Sequence, residues 1–356
     1  MSGQPALSDS GIPRPRDLAE LLGIQRHACN SIGSTLYARV LDLCIERVDR
    51  DGPIRDLLVP HEHDPFGSAL ALRFLGAVHR IVLDGRAGDL AAHYPSAGGT
   101  PGPTLEEDFE ATVATHLDEL ARRIDDGLQT NEVGRSASLA GPLLELARQG
   151  RPLRLLEVGS SAGLNLRWDH FRYEAGENSF GDPDAPVRFV EPWVDAAPDL
   201  SGSVEIAERR GCDRSPIDAT TDEGRLRLRS FVWPDLVERF RRLDGAIEVA
   251  TAVPALVERA DAPEWVAAQL AEPAQGCTTV VMHSIVLQYL SKDARRALTG
   301  ALGAAGRRAT ADAPLAWLRM EPGRDGAEVR LTSWPGGDER LVAISGYHGP
   351  PIRWLG

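Results

Sequence analysis

The chain has 356 residues, 42% hydrophobic and 26% charged, an ordinary globular composition that is too long for one small core. Its formal net charge of −13 disfavours nucleic acid, whose binding depends on Lys and Arg neutralising phosphates, and favours a small-molecule partner. Four scattered cysteines (Cys29, Cys44, Cys212, Cys277), a start without a basic-then-apolar pattern and no run of about 18 apolar residues argue against a disulfide framework, a signal peptide and a membrane span, so a reduced, cytoplasmic protein is expected.

Residues 1–16, rich in Pro, Gly and Ser, read as loose. From 17 to about 149 the apolar period is helical. Leu36, Val40, Leu43 and Arg47 suggest one helix, and residues 68–83, apolar on most faces, suggest a central one that contains His79. Phe109, Val113, Leu117, Leu120, Ile124 and Leu128 form one stripe over 105–128, behind a capping-box pattern at Thr104 and Glu107. Leu139, Leu143 and Leu146 mark a short helix ending near Gly150. The character changes at 151. Arg154–Val158, Val204–Arg209, Ala255–Arg259, Thr278–Met282 and Leu315–Glu321 read as strands, separated by a helix-like segment from about 162 and by helices after Pro234 and over Lys292–Leu302. Val329–Trp334 and Arg340–Tyr347 flank a Pro-Gly-Gly-Asp turn and form a hairpin. Residues 171–203, rich in turn formers, read as an insertion. Trp233 is expected to pack on the sheet or flank a ligand. This order predicts a mostly parallel sheet with one antiparallel strand.

The sequence LLEVGSSAGLN (155–165) turns a strand sharply over Gly159–Gly163. Three readings compete. A dinucleotide fingerprint would need glycine at Ser161 and Leu164, and a P-loop would need Gly-Lys-Ser/Thr. Gly159-Ser160-Ser161-Ala162-Gly163 also satisfies G-x-S-x-G, the nucleophile elbow of α/β-hydrolases, with Ser161 as nucleophile and His283 or His348 available downstream. The helices upstream and the lack of an HGGG-like segment weigh against that reading. The third pattern, an apolar strand, the acid Glu157 and then Gly-x-x-x-Gly, resembles motif I of class I S-adenosylmethionine-dependent methyltransferases.

That resemblance implies an α/β fold with a Rossmann-like class I methyltransferase domain over 146–356, preceded by an all-helical domain over 1–145 that serves as lid and substrate wall. It implies S-adenosylmethionine as cofactor, bound by Glu157, Gly159, Ser160, Ser161, Gly163 and Asn165. Asp213, with Asp218 as fallback, would accept the ribose hydroxyls. Asp261-Ala262 would serve the adenine, with a helix N-cap as the plain alternative. Arg135 would pair the cofactor carboxylate, and Asn131 and Glu132 would face the substrate, or all three would form a linking turn. His283 and Tyr289 lie where substrate and methyl group meet in such enzymes, and His283 would take a proton from the acceptor. No metal is expected: His61-Glu62-His63-Asp64 has no further ligand cluster. A non-catalytic binding protein of the same fold is a further reading. The segments QTNEVGRSASL (129–139), LLEVGSSAGLNL, RRGCDRSPID (209–218), VWPDLVERFRRLDGAI (232–247) and VVMHSIVLQYL (280–290) together resemble an uncharacterised bacterial family of unknown function.

Overall fold

The helical period of the first third is realised as six helices: α1 (Leu18–Ile32), α2 (Thr35–Arg47), α3 (Pro53–Leu58), α4 (Leu70–Leu83), α5 (Leu105–Thr115) and α6 (Leu117–Ile124). These belong to a computed structural model that describes Pro15 and residues 17–356; apart from Pro15, the stretch read as loose lies outside the described residues. Asp17 caps α1 by accepting Glu20 N–H at 2.8 Å, and Gly33 ends it in the left-handed region at φ 90°. Helix α4 is buried on nearly every face, as its sequence predicts. The stripe over 105–128 divides, because His116 (φ −112°, ψ 22°) leaves helical geometry between α5 and α6. The capping box at Thr104 does not form. Thr104 is not extended (φ −94°, ψ 8°), and its hydroxyl donates to Asp108 at 2.8 Å instead.

The chain divides into two compact units, one taking the chain to Thr130 and again Asp222–Phe240, the other Asn131–Thr221 and Arg241–Gly356. A cut at 145/146, where a domain boundary is expected, would fall inside α7 (Arg135–Ala147), a helix of the second unit. The returning segment gives the first unit α8 (Asp222–Ser230) and Trp233, which is buried in the helical core beside Tyr37, with ring centroids 6.2 Å apart. Trp233, expected on the sheet or beside a ligand, is thus a core residue of the helical unit.

The second unit carries β1 (Leu153–Val158), β2 (Arg172–Ala175), β3 (Asn178–Phe180), β4 (Arg188–Val190), β5 (Ile206–Asp213), most of α9 (Val237–Ala252), β6 (Leu256–Arg259), α10 (Ala262–Gln269), β7 (Thr278–Ser284), α11 (Lys292–Gly306), β8 (Leu315–Pro322), β9 (Ala327–Trp334), β10 (Asp338–Gly346) and β11 (Gly349–Trp354). Its sheet has eight strands in the order β11-β10-β9-β8-β7-β1-β5-β6. The five from β6 to β8 run parallel, whereas β9, β10 and β11 form an antiparallel meander. The single antiparallel strand expected from sequence is corrected by β11, whose prolines hid it. Residues 171–203 hold a separate three-stranded sheet, β3-β2-β4. Strand β7 is buried along its whole length, as a central parallel strand should be. Leu156 and Val158 of β1 pack with Trp265 and Val266 of α10 and Leu298 and Leu302 of α11. Among the described residues no helix is long and apolar enough to cross a membrane.

From β1 the chain fills one side of the sheet with β5 and β6, then crosses to β7 and β8 on the other. Strands β1 and β7 therefore flank a topological switch point, and a crevice opens outside their carboxyl ends in sheets of this kind.

Candidate functional site

The glycine turn lies at that switch point. Gly159 (φ 66°) and Gly163 (φ 66°) both need left-handed backbone. A Cβ on Gly159 would lie 2.6 Å from Val286 Cγ2, and one on Gly163 would lie 2.9 Å from Val257 Cγ2. The turn is thus drawn close to apolar side chains at the ends of β7 and β6. Ser161 (φ 53°) and Ile285 (φ 55°) adopt the same region without being glycine. For β-branched Ile285 this is a true outlier. Such strain concentrates at sites where surrounding structure over-determines the backbone.

Every backbone N–H of the turn is satisfied from within the protein. Gly159 and Ser160 donate to Cys212 O (2.9 and 3.1 Å), Ser161 to Asp213 Oδ2 (2.9 Å) and Gly163 to Ser160 O (2.7 Å). Ala162 and Leu164 both donate to Asn131 Oδ1 at 3.1 Å. No donor remains to cradle a phosphate, which physically excludes the nucleotide-phosphate readings of this turn. What remains unmatched are side-chain oxygens, each with lone pairs to offer. Glu157 Oε2, Ser161 Oγ and Asn165 Oδ1 are buried without a hydrogen-bond partner. Burial raises the Glu157 pKa to about 8; the Arg167 guanidinium opposes this, Asp213 adds to it, and Arg135 opposes it more weakly.

Arg167, which the sequence reading did not single out, locks the turn from below. Its guanidinium donates to Gly163 O (2.7 Å) and Val253 O (2.7 Å), and burial lowers its pKa to about 10. Because the carbonyls at 162 and 163 face this guanidinium, the expected helix after the turn is a 3-10 stretch, Leu164–His170, kinked at Arg167.

Several of the expected site residues make bonds within the protein itself. Asn131, expected to face a substrate, clamps the turn with its Oδ1. Glu132 is buried, accepts Gly134 N–H at 3.0 Å and pairs with His348 Nδ1 at 3.3 Å, so it too is structural. Asn165 donates to Glu132 O at 3.3 Å. Arg135 donates to Tyr347 O (3.0 Å) and Ser284 O (3.1 Å), joining the β10–β11 turn to the end of β7. His283 is buried with both ring nitrogens engaged. Its Nε2 accepts from Trp317 Nε1 at 3.0 Å, which fixes the proton on Nδ1, and Nδ1 donates to Glu321 Oε1 at 2.7 Å. No lone pair is left for an acceptor's proton, so His283 positions the post-β7 segment. Glu321 Oε1 completes that task by accepting Val286 and Leu287 N–H at 2.9 and 3.2 Å. Tyr289 is 58% exposed in that segment.

Asp213, at the end of β5, holds the turn with one oxygen and accepts Ser215 N–H with the other at 2.8 Å. Asp218 accepts from Thr220 N–H and hydroxyl in an exposed turn, away from these groups in role. Asp261 occupies the N-cap position of α10, but its side chain makes no cap bond and is 73% exposed, 3.7 Å from Arg214. Ala262 beside it is buried. Ser161 Oγ meets no histidine, so the structure holds no assembled Ser-His pair at the elbow. His61 turns to Asp64, which pairs with Arg73, while the His63 side chain is 93% exposed; the two histidines do not converge on a metal. Among the described residues no group of three or more His, Cys, Asp or Glu could hold one.

No curated protein and no solved structure matches the chain. A family model described as an uncharacterized protein conserved in bacteria (DUF2332) matches residues 19–354, nearly the whole length, and the chain belongs to that family.

Proposed function

We propose that the second unit binds S-adenosylmethionine at the carboxyl ends of β1, β5, β6 and β7 and transfers its methyl group to a small-molecule acceptor. One observation carries this reading: the turn has no N–H to give and three buried, unmatched oxygens able to accept, Glu157 once its proton is released, which suits a ligand bearing a cationic donor and no phosphate. Glu157, Ser161 and Asn165 would accept from the ligand's ammonium, Asp213 would take the ribose hydroxyls, and Arg135 would face the carboxylate. Asp261 and Ala262 would serve the adenine, over the apolar surface of Val257 and Val286. When bound, the cofactor supplies an electrophilic methyl group on a sulfonium. The chain's part is alignment and exclusion of water, which in-line transfer needs more than acid–base groups. This agrees with a histidine at position 283 that has no free nitrogen.

Calorimetric titration with S-adenosylmethionine and S-adenosylhomocysteine tests the proposal. Micromolar binding is expected for the native protein, and Asp213→Ala should weaken it at least tenfold while Ser161→Ala leaves it measurable. A folded protein that binds neither ligand would sink the cofactor assignment.

A further inference from the structure

We propose that the helical unit carries a second ligand site, a cleft that takes the oxyanion group of a small molecule between Arg80, Arg123 and Arg227. The cleft lies between α4, the end of α6 and α8 and opens to solvent, a shallow recess that takes a single anionic group while its carrier stays outside. Its floor is tight. Gly76 of α4 lies so near the Phe231 ring that a Cβ would come within 2.6 Å of it.

Three guanidinium groups line the cleft against two carboxylates, Glu223 and Asp126, a local reversal of sign on a chain of net charge −13. Arg80 is the telling residue. Its side chain is 8% exposed on a helix that also buries Arg73 and His79, yet its pairing partner, Glu223, is 71% exposed and reaches one end of the fork only. Arg80 Nε is buried with no partner. A guanidinium taken out of water costs several kcal/mol unless its donors are matched. A phosphate or carboxylate group presents two oxygens side by side and matches that fork bidentately, which the single Glu223 oxygen does not. Arg227 donates one N–H to Asp126 O at 2.9 Å, and Arg123 Nε holds Glu119 at 2.7 Å, so both forks are oriented before any ligand arrives. Glu223 occupies the ligand's place and, being exposed, swings into water when the ligand enters.

The test uses the full chain, titrated calorimetrically at constant ionic strength with inorganic phosphate and, separately, with acetate. Saturable binding of at least one is expected. Arg227→Ala should weaken it at least tenfold, and Glu223→Gln should strengthen it several-fold by removing the competing carboxylate, a gain that misfolding does not produce. Phosphate alone binding identifies a phosphoryl ligand; acetate binding identifies a carboxylate. Saturation by neither, affinities unchanged in both variants, or weaker binding in Glu223→Gln would overturn the proposal.

Discussion

Glu157 keeps a proton that an exposed glutamate releases, and the sign of the consequence follows. Its folded pKa, about 8, lies above the unfolded value near 4.5, so between those pH values the folded chain binds more protons. Stability from this group is therefore present at low pH and lost as pH rises through that window. The denaturation midpoint of the native protein should fall between about pH 5 and about pH 8 relative to Glu157→Gln, and the two profiles running parallel would remove the buried proton. If the proposed ligand places its ammonium on Glu157, binding near neutral pH releases a proton, visible as a dependence of calorimetric heat on the buffer's ionisation enthalpy. His79 runs the other way. Burial lowers its pKa to about 3, Ser230 O opposing, so its contribution is lost as pH falls from the unfolded value of about 6.5 toward 3. Its imidazole should show no NMR titration above about pH 4. Asn131→Ala should leave two turn donors without an acceptor and cost roughly 1–3 kcal/mol, measured by urea denaturation. The sequence placed Glu157, Ser161 and Asn165 in and on either side of one turn because they are neighbours. It did not reveal that Asn131 clamps that turn from 31 positions away, or that Trp317 and Glu321 take both nitrogens of His283, because those bonds are made only by folding.

At the scale of elements, the ends of β1 and β7 are coupled by contact. Gly159→Ala should destabilise the unit by roughly 1–3 kcal/mol, from overpacking against Val286 and from the left-handed φ. Val286→Ala in the same chain should restore part of this, because the contact is relieved while the backbone strain stays. Full additivity of the two changes in a denaturation cycle would show that they do not touch in solution. The parallel strands were legible because each is a short apolar run, and the hairpin because of its Pro-Gly-Gly-Asp turn. Strand β11 was not, since Pro350 and Pro351 read as loop; at the edge of a sheet a missing N–H costs no ladder bond. The 3-10 stretch after the turn was hidden for another reason: its apolar spacing is helical, and a single guanidinium on two carbonyls redirects it.

For the whole molecule, the decisive fact is that the helical unit is made from two separated pieces of chain. A truncated chain of residues 146–356 keeps Trp233 but removes the helices it is buried among, and cuts away most of α7 from the sheet. It should lose a single cooperative urea transition and bind hydrophobic dyes, whereas a sharp transition of undiminished midpoint would show that the second unit stands without them. The change of pattern at 151 made a helical region followed by an α/β region legible. The return of 222–240 was not, because its apolar spacing suits a helix on a sheet as well as a helix in a bundle.

That return also sets an order of events during synthesis. A ribosome releases residues 17–130 first, with Tyr37 still lacking Trp233. The missing piece emerges only after β1 to β5 have been translated, so the first-made unit is the one that waits, with apolar surface open meanwhile. Nascent chains stalled shortly before residue 222 should therefore be held by chaperones and cut readily by protease, and those stalled well beyond residue 240 should resist.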